Sequence, residues 1–188
     1  MPKRRTKDDW TEIALAAIAE GGAAAVAVEP LAARVGATKG SLYWHFPTRD
    51  ALLDAALARW EREHTEAVIS FADRGATAHE RLRLLFGAVL DTGGEIELAL
   101  LASTSDPKVS AAVSRVTERR LGYLTTQFAE LGFGRAQARR RAVVAYSIYL
   151  GQTQLMRATP GALAQSPAAR RAYVDDVLHV VLATPADS

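Results

Sequence analysis

The sequence predicts an all-α protein, and three observations carry that prediction. Alanine and leucine dominate a chain of 188 residues that is 49% hydrophobic and 23% charged, ordinary values for a folded domain with a proper core. Apolar residues recur at three- and four-residue spacing, the period of an amphipathic helix. No stretch sustains the alternation of a strand, and GAAAVAV at 22–28 is too short and isolated to count as one.

Short helices come first. One is expected over residues 8–20, with Asp8 and Asp9 favouring its dipole and Gly21-Gly22 ending it. A second covers 29–35, with Pro30 tolerated in its first turn, and Gly36 ends it. Thr38 caps a third helix that runs to about Phe46, and Pro47 breaks the chain again. Thr48 then caps a longer fourth helix, residues 49–70. Beyond residue 75, helices are expected near 78–91, 95–103, 107–131, 135–157 and 166–183, with Ser105-Asp106-Pro107 forming a cap and first helical proline. Short helices before long ones imply a head of residues 1–47 and a helical body of residues 48–188.

Composition excludes several functions. There is no cysteine, so disulfides, thiolate catalysis and cysteine-based metal sites are ruled out. His45, His64, His79 and His179 lack metal-ligand spacing, and no glycine-rich phosphate loop appears. Asp175-Asp176 are neighbours on a helix and point apart. No enzymatic activity, cofactor or metal is expected. The basic N-terminus is followed by no signal-type apolar run, and no apolar stretch reaches the length of a membrane span. The reading is of a soluble, cytoplasmic protein without a membrane partner.

The formal net charge is only +2, but its placement is uneven. Lys3, Arg4, Arg5 and Lys7 fall in residues 1–7, and Arg34, Lys39 and Arg49 in residues 30–49, both without an acid. Such patches suit a polyanion such as DNA.

VEPLAARVGATKGSLYWHFPTRDALLDAAL, residues 28–57, is the informative segment. A helix-turn-helix needs two helices crossing steeply at close range. Leu31, Val35, Leu42 and Phe46 supply apolar faces, and Ala32 is small where the helices approach. Gly36 suits a left-handed turn, and Thr38 suits the free N–H groups of the next helix. The third helix offers Lys39, Ser41, Tyr43, Trp44 and His45 near an N-terminus that favours phosphate, the part of such a helix that reaches the major groove. Gly40 leaves room for a close approach, and Arg49 is placed to pin the backbone. Three consecutive helical residues span about 200°, so Tyr43, Trp44 and His45 cannot all face the core beside Leu42 and Phe46.

LAARVGATKGSLYWHFPTRDALLDAAL resembles the DNA-binding signature of the tetracycline-repressor (TetR) family, over about residues 8–57. The resemblance implies a three-helix helix-turn-helix head, a helical-bundle body that binds a small-molecule effector and dimerises, and ligand-controlled release of an operator. Matched position by position, it gives the DNA-contact role to Thr38, Lys39, Ser41, Tyr43, Trp44, His45 and Arg49. Ala27 departs from the family pattern, which often has a hydroxyl cap there.

In the body, Val144, Tyr146, Ile148, Tyr149, Leu150 and Leu155, then Tyr173, Val177, Val180 and Val181, suit either a core or a dimer seam. Polar or aromatic groups interrupting apolar faces are the ligand candidates: Trp60 and His64 one turn apart, then Phe86, Tyr123, Tyr146 and Gln152. The expected function is a ligand-responsive regulator, most simply a repressor, that binds a palindromic double-stranded operator as a homodimer. The competing reading is a non-specific or architectural DNA-binding protein whose body serves association.

Overall fold

The computed structural model describes residues 5–91, 94–162 and 166–183, so Lys3 and Arg4 of the basic N-terminus lie outside the described residues. No strand occurs among the described residues. In chain order the helices are α1 (Lys7–Gly21), α2 (Val28–Arg34), α3 (Lys39–Tyr43), α4 (Arg49–Glu61), α5 (Ala67–Ala72), α6 (Ala78–Asp91), α7 (Glu95–Leu101), α8 (Pro107–Glu130), α9 (Arg135–Ala158) and α10 (Pro167–Leu182). The all-α expectation therefore holds.

Local chemistry explains most boundaries. Thr6 and Asp9 form a reciprocal capping box at α1, with Asp9 N–H donating to Thr6 Oγ1 at 3.1 Å and Thr6 N–H donating to Asp9 Oδ2 at 2.7 Å. Thr48 Oγ1 accepts from the Ala51 N–H at 3.0 Å and starts α4. Asp106 Oδ1 accepts from the Lys108 N–H at 2.9 Å, with Pro107 as first helical residue of α8. Ala27 precedes α2 with no side-chain cap, in keeping with the departure noted in the sequence.

The fourth helix is not one regular rod. Residues Arg62–Glu66 form a π-helical turn between α4 and α5. The wider turn carries the buried side from Trp60 to Thr65, where a regular helix would place the half-buried His64. Thr65 Oγ1 accepts from Arg120 Nε at 3.0 Å.

The chain packs as two units. Residues 1–64 and 95–116 form one; residues 65–94 and 117–188 form the other. These packing units divide the chain differently from the head and body expected on either side of residue 47, because α4, α7 and the start of α8 pack with the N-terminal helices. The first core gathers Trp10 and Ile18 of α1, Leu31 of α2, Leu42 and Phe46 around α3, Leu52, Leu53 and Trp60 of α4, and Leu100 and Val109. Burying each Leu side chain contributes about 1.5–3 kcal/mol. The Ser103 hydroxyl ties α7 to the turn after α1, accepting from the Ala23 N–H at 3.2 Å and donating to the Ala99 carbonyl at 2.7 Å.

In the second unit, Leu82, Phe86, Leu124, Phe128, Tyr146, Val177, Leu178 and Val181 form the core. Ala138, Ala142 and Ala145 recur at helical spacing along α9, and all three are fully buried. Arg141 stacks its guanidinium 4.0 Å from the Phe133 ring centroid and donates to the carbonyls of Val181 and Ala183, closing the C-terminal end of α10. The residues that periodicity left between core and seam separate here. Tyr146, Val177 and Val181 are buried and Ile148, Tyr149, Leu150 and Tyr173 partly so, whereas Val144, Leu155 and Val180 are exposed, with Val143 beside them. No helix among the described residues is long and apolar enough to cross a membrane.

Candidate nucleic-acid interface

The candidate interface is built from α2, its turn and α3. Gly36 adopts φ +63° and turns the chain between the two helices. Thr38 Oγ1 accepts from the Ser41 N–H at 3.3 Å and starts α3. That helix has only five residues, and Trp44, His45 and Phe46 follow in a tight turn rather than in the helix expected to reach Phe46. The turn continues the backbone bonding, with Trp44 N–H to Gly40 O at 3.0 Å and Phe46 N–H to Leu42 O at 2.9 Å.

Leu42 and Phe46 anchor this segment in the core, at 0% and 2% exposure. The same anchoring leaves Tyr43 49% and Trp44 75% exposed. Thr38, Lys39 and Gly40 are exposed beside them, and Ser41 is half-buried. A Cβ at Gly40 would meet only Thr38 Oγ1, at 3.9 Å, so nothing within the head requires glycine there.

His45 and Arg49 are engaged from behind this face. His45 Nε2 lies 3.0 Å from the Arg5 carbonyl oxygen and donates to it, while Arg5 Nη2 donates to the Val35 carbonyl at 3.1 Å. The N-terminal segment is thus laced to both sides of the α2–α3 turn, and Lys7 Nζ sits 5.4 Å from the Phe46 ring centroid. Arg49 donates from Nε to Val26 O and from Nη2 to Ala23 O, each at 2.8 Å, with Asp106 Oδ2 3.9 Å from Nη1.

The segment without acids in sequence has acids around it in space. Arg34 forms a bidentate pair with Glu20 of α1, both bonds 2.5 Å. That hydrogen-bonded guanidinium holds the Glu20 carboxyl below its ordinary range. Lys39 is ion-paired with Glu29 from the first turn of α2. These partners lie on different helices, ten or more residues away in sequence, so helical periodicity gives no hint of them.

The ligand candidates fall apart by unit. Trp60 and His64 belong to the first unit, with Trp60 buried in its core. Phe86, Tyr123, Tyr146 and Gln152 belong to the second and are all buried. The Tyr123 hydroxyl donates to Asp73 Oδ1 at 2.7 Å, and Tyr146 stacks on Tyr149 with ring centroids 5.8 Å apart. A cleft of about 420 Å³ in the second unit is lined by His79, Arg83, Asp175, Leu178, His179 and Leu182, and by none of those candidates.

Residues 11–56, which run from within α1 through α2 and α3 into α4, match the family model for bacterial regulatory proteins of the tetR family. The chain carries the DNA-binding head of the TetR family. It is a DNA-binding, helix-turn-helix regulator of transcription. The TetR fold extends beyond the head. A TetR transcriptional regulator from Legionella pneumophila is 19% identical, with 94% of this chain and 98% of that one covered at a TM-score of 0.71. A transcriptional regulator from Rhodococcus sp. Rha1 is also 19% identical, over 95% and 96% of the two chains, at a TM-score of 0.76. A third structure, described as a transcriptional regulator from Saccharomonospora viridis in complex with choline, is 20% identical over 92% and 95%, at 0.73. No curated protein matches the chain in sequence.

Proposed function

We propose that the protein is a repressor that binds a palindromic operator as a homodimer and is released from it by a small-molecule effector. Residues 1–47 carry the operator contacts, and residues 48–188 carry effector binding and dimerisation. It works by binding rather than catalysis, in the cytoplasm.

The observation that carries this reading is the outward display of Tyr43 and Trp44 beside the buried anchors Leu42 and Phe46. Adjacent exposed aromatic side chains form a patch of the kind that marks an interaction site, unlike a single scattered apolar residue. In the proposed complex Thr38, Lys39, Ser41, Tyr43 and Trp44 meet bases and phosphates at the groove. His45 and Arg49 take part from the rim, where a phosphate would compete with the carbonyls that hold them. Exposed Val143, Val144 and Leu155 on α9 and Val180 on α10 support a seam between two copies. A similar structure in complex with choline supports binding of a small-molecule effector, whose chemistry here is to be found by screening.

The test is footprinting on the DNA flanking the protein's own gene, with and without candidate effectors. Protection of a twofold-symmetric site by the wild type, lost in Tyr43→Ala/Trp44→Ala while the dimer persists, is the expected result. Wild-type affinity in the double variant would remove α3 from the interface. Salt-sensitive binding to every duplex alike would favour the architectural reading instead.

A further inference from the structure

Lys39 presents its ammonium on the proposed DNA face, yet it is already bound to a carboxylate. Its partner Glu29 lies in the first turn of α2, ten residues earlier, and the crossing of the two helices brings the pair together. The side chains are 57% and 69% exposed. No desolvation locks the pair, and a pair so exposed is weak enough for a phosphate oxygen to break. Arg34 differs in both respects, being held bidentately by Glu20 and absent from the contact set.

We infer that Glu29 is an intramolecular competitor of DNA phosphate for Lys39, a built-in brake on phosphate-driven binding. This rests on the proposed function, in which Lys39 faces DNA. A free lysine that meets a phosphate displaces condensed counterions, and their release drives binding. A lysine already neutralised by Glu29 must first give up that partner, and it leaves a bare carboxylate close to the phosphates. Both effects act against any duplex, whatever its sequence. Glu29 therefore sets the electrostatic share of the affinity rather than the choice of bases. A second role for Glu29, favouring the N-terminus of the uncapped α2, predicts a change in helix stability and none in salt dependence.

The experiment measures affinity for a random-sequence duplex and for the footprinted site over a salt series. It uses the wild type, Glu29→Gln, Lys39→Met and the double variant, each checked by circular dichroism for an intact head. Glu29→Gln should tighten binding to both duplexes by about three- to tenfold at low salt, and steepen the slope of log K against log salt by about one. The gain should be at least about twofold larger when Lys39 is present than in the Lys39→Met background, because an exposed pair of this kind accounts for that much. Equal gains in the two backgrounds would show that Glu29 acts only through its field and would overturn the competition. Unchanged or weaker binding by Glu29→Gln would overturn it as well, with the function left standing. A wild type that binds neither duplex at low salt would instead sink the DNA-binding function, and this inference with it.

Discussion

Arg49 donates to the carbonyl oxygen of Val26 across the head, at 2.8 Å, and the same guanidinium holds Ala23. The first residue of α4 thereby fixes the connection between α1 and α2, the turn that also receives the Ser103 hydroxyl. Only a forked donor reaches two carbonyls at once. Arg49→Lys should lower the unfolding free energy by about 1–2 kcal/mol, read by urea denaturation. An unchanged midpoint would mean that the two carbonyls are satisfied equally well by water.

Gly40 predicts opposite changes in stability and binding. Alanine in its place finds open space and a better helix former, so the free head should gain about 0.5–1 kcal/mol. The same methyl would stand between α3 and the groove, and operator affinity should fall at least about tenfold, a loss of about 1.4 kcal/mol. Thermal melting and a gel-shift titration on one preparation check both signs. A stabilised variant with full affinity would show that Gly40 makes no close approach.

Tyr123 gives the second unit a stability that depends on alkaline pH. Burial, and then its hydrogen bond to Asp73, hold the phenol well above its ordinary value of 10.0. The unfolded chain loses that proton first, so the stabilisation is complete below pH 10 and is lost as pH rises above it, towards the folded value. Urea midpoints from pH 8 to 11 should fall more steeply above pH 10 for the wild type than for Tyr123→Phe. Parallel curves for the two proteins would contradict this. Below pH 9 the variant should be less stable by about 1 kcal/mol, the worth of one hydrogen bond.

Arg141 should act as a clamp on the end of α10. Arg141→Met keeps a stem to lie on Phe133 but removes both donors to the Val181 and Ala183 carbonyls. Amide exchange over residues 180–183 should rise, with a loss of about 1–3 kcal/mol in stability. Protection equal to wild type would mean that packing alone holds the helix end.

Helix ends were legible in the sequence because their chemistry is local. Thr38, Thr48 and Asp106 cap helices by bonding to N–H groups two or three residues on, and Gly36 turns at a single φ. Thr6 followed by Asp9 is the same kind of signal, and it sets the start of α1 earlier than the acids alone suggested. What was illegible depends on helices meeting. Glu29 with Lys39 and Glu20 with Arg34 pair across different helices, so a stretch without acids in sequence still has acids beside it in space. The π turn at Arg62–Glu66 has no composition of its own, and it emerges only as burial shifts to Thr65. Within α10, Val180 and Val181 are chemically alike, yet one is exposed and the other buried. Which face meets α6 and α9 is a property of the packed unit.

The pairing of Arg34 with Glu20 and of Lys39 with Glu29 also bears on kinetics. Two opposite charges in contact are much closer together than the screening length of about 8 Å in physiological salt. An approaching duplex therefore meets dipoles there, whose pull fades faster with distance than that of single charges. Long-range attraction is left to cations outside these pairs, Lys7 among them. Encounter with an operator should then run nearer the rate of neutral partners, about 10⁵–10⁶ M⁻¹ s⁻¹, than that of steered ones. The ion pairs that flank α3 would then govern how long the search for a site takes, before any contact with a base is made.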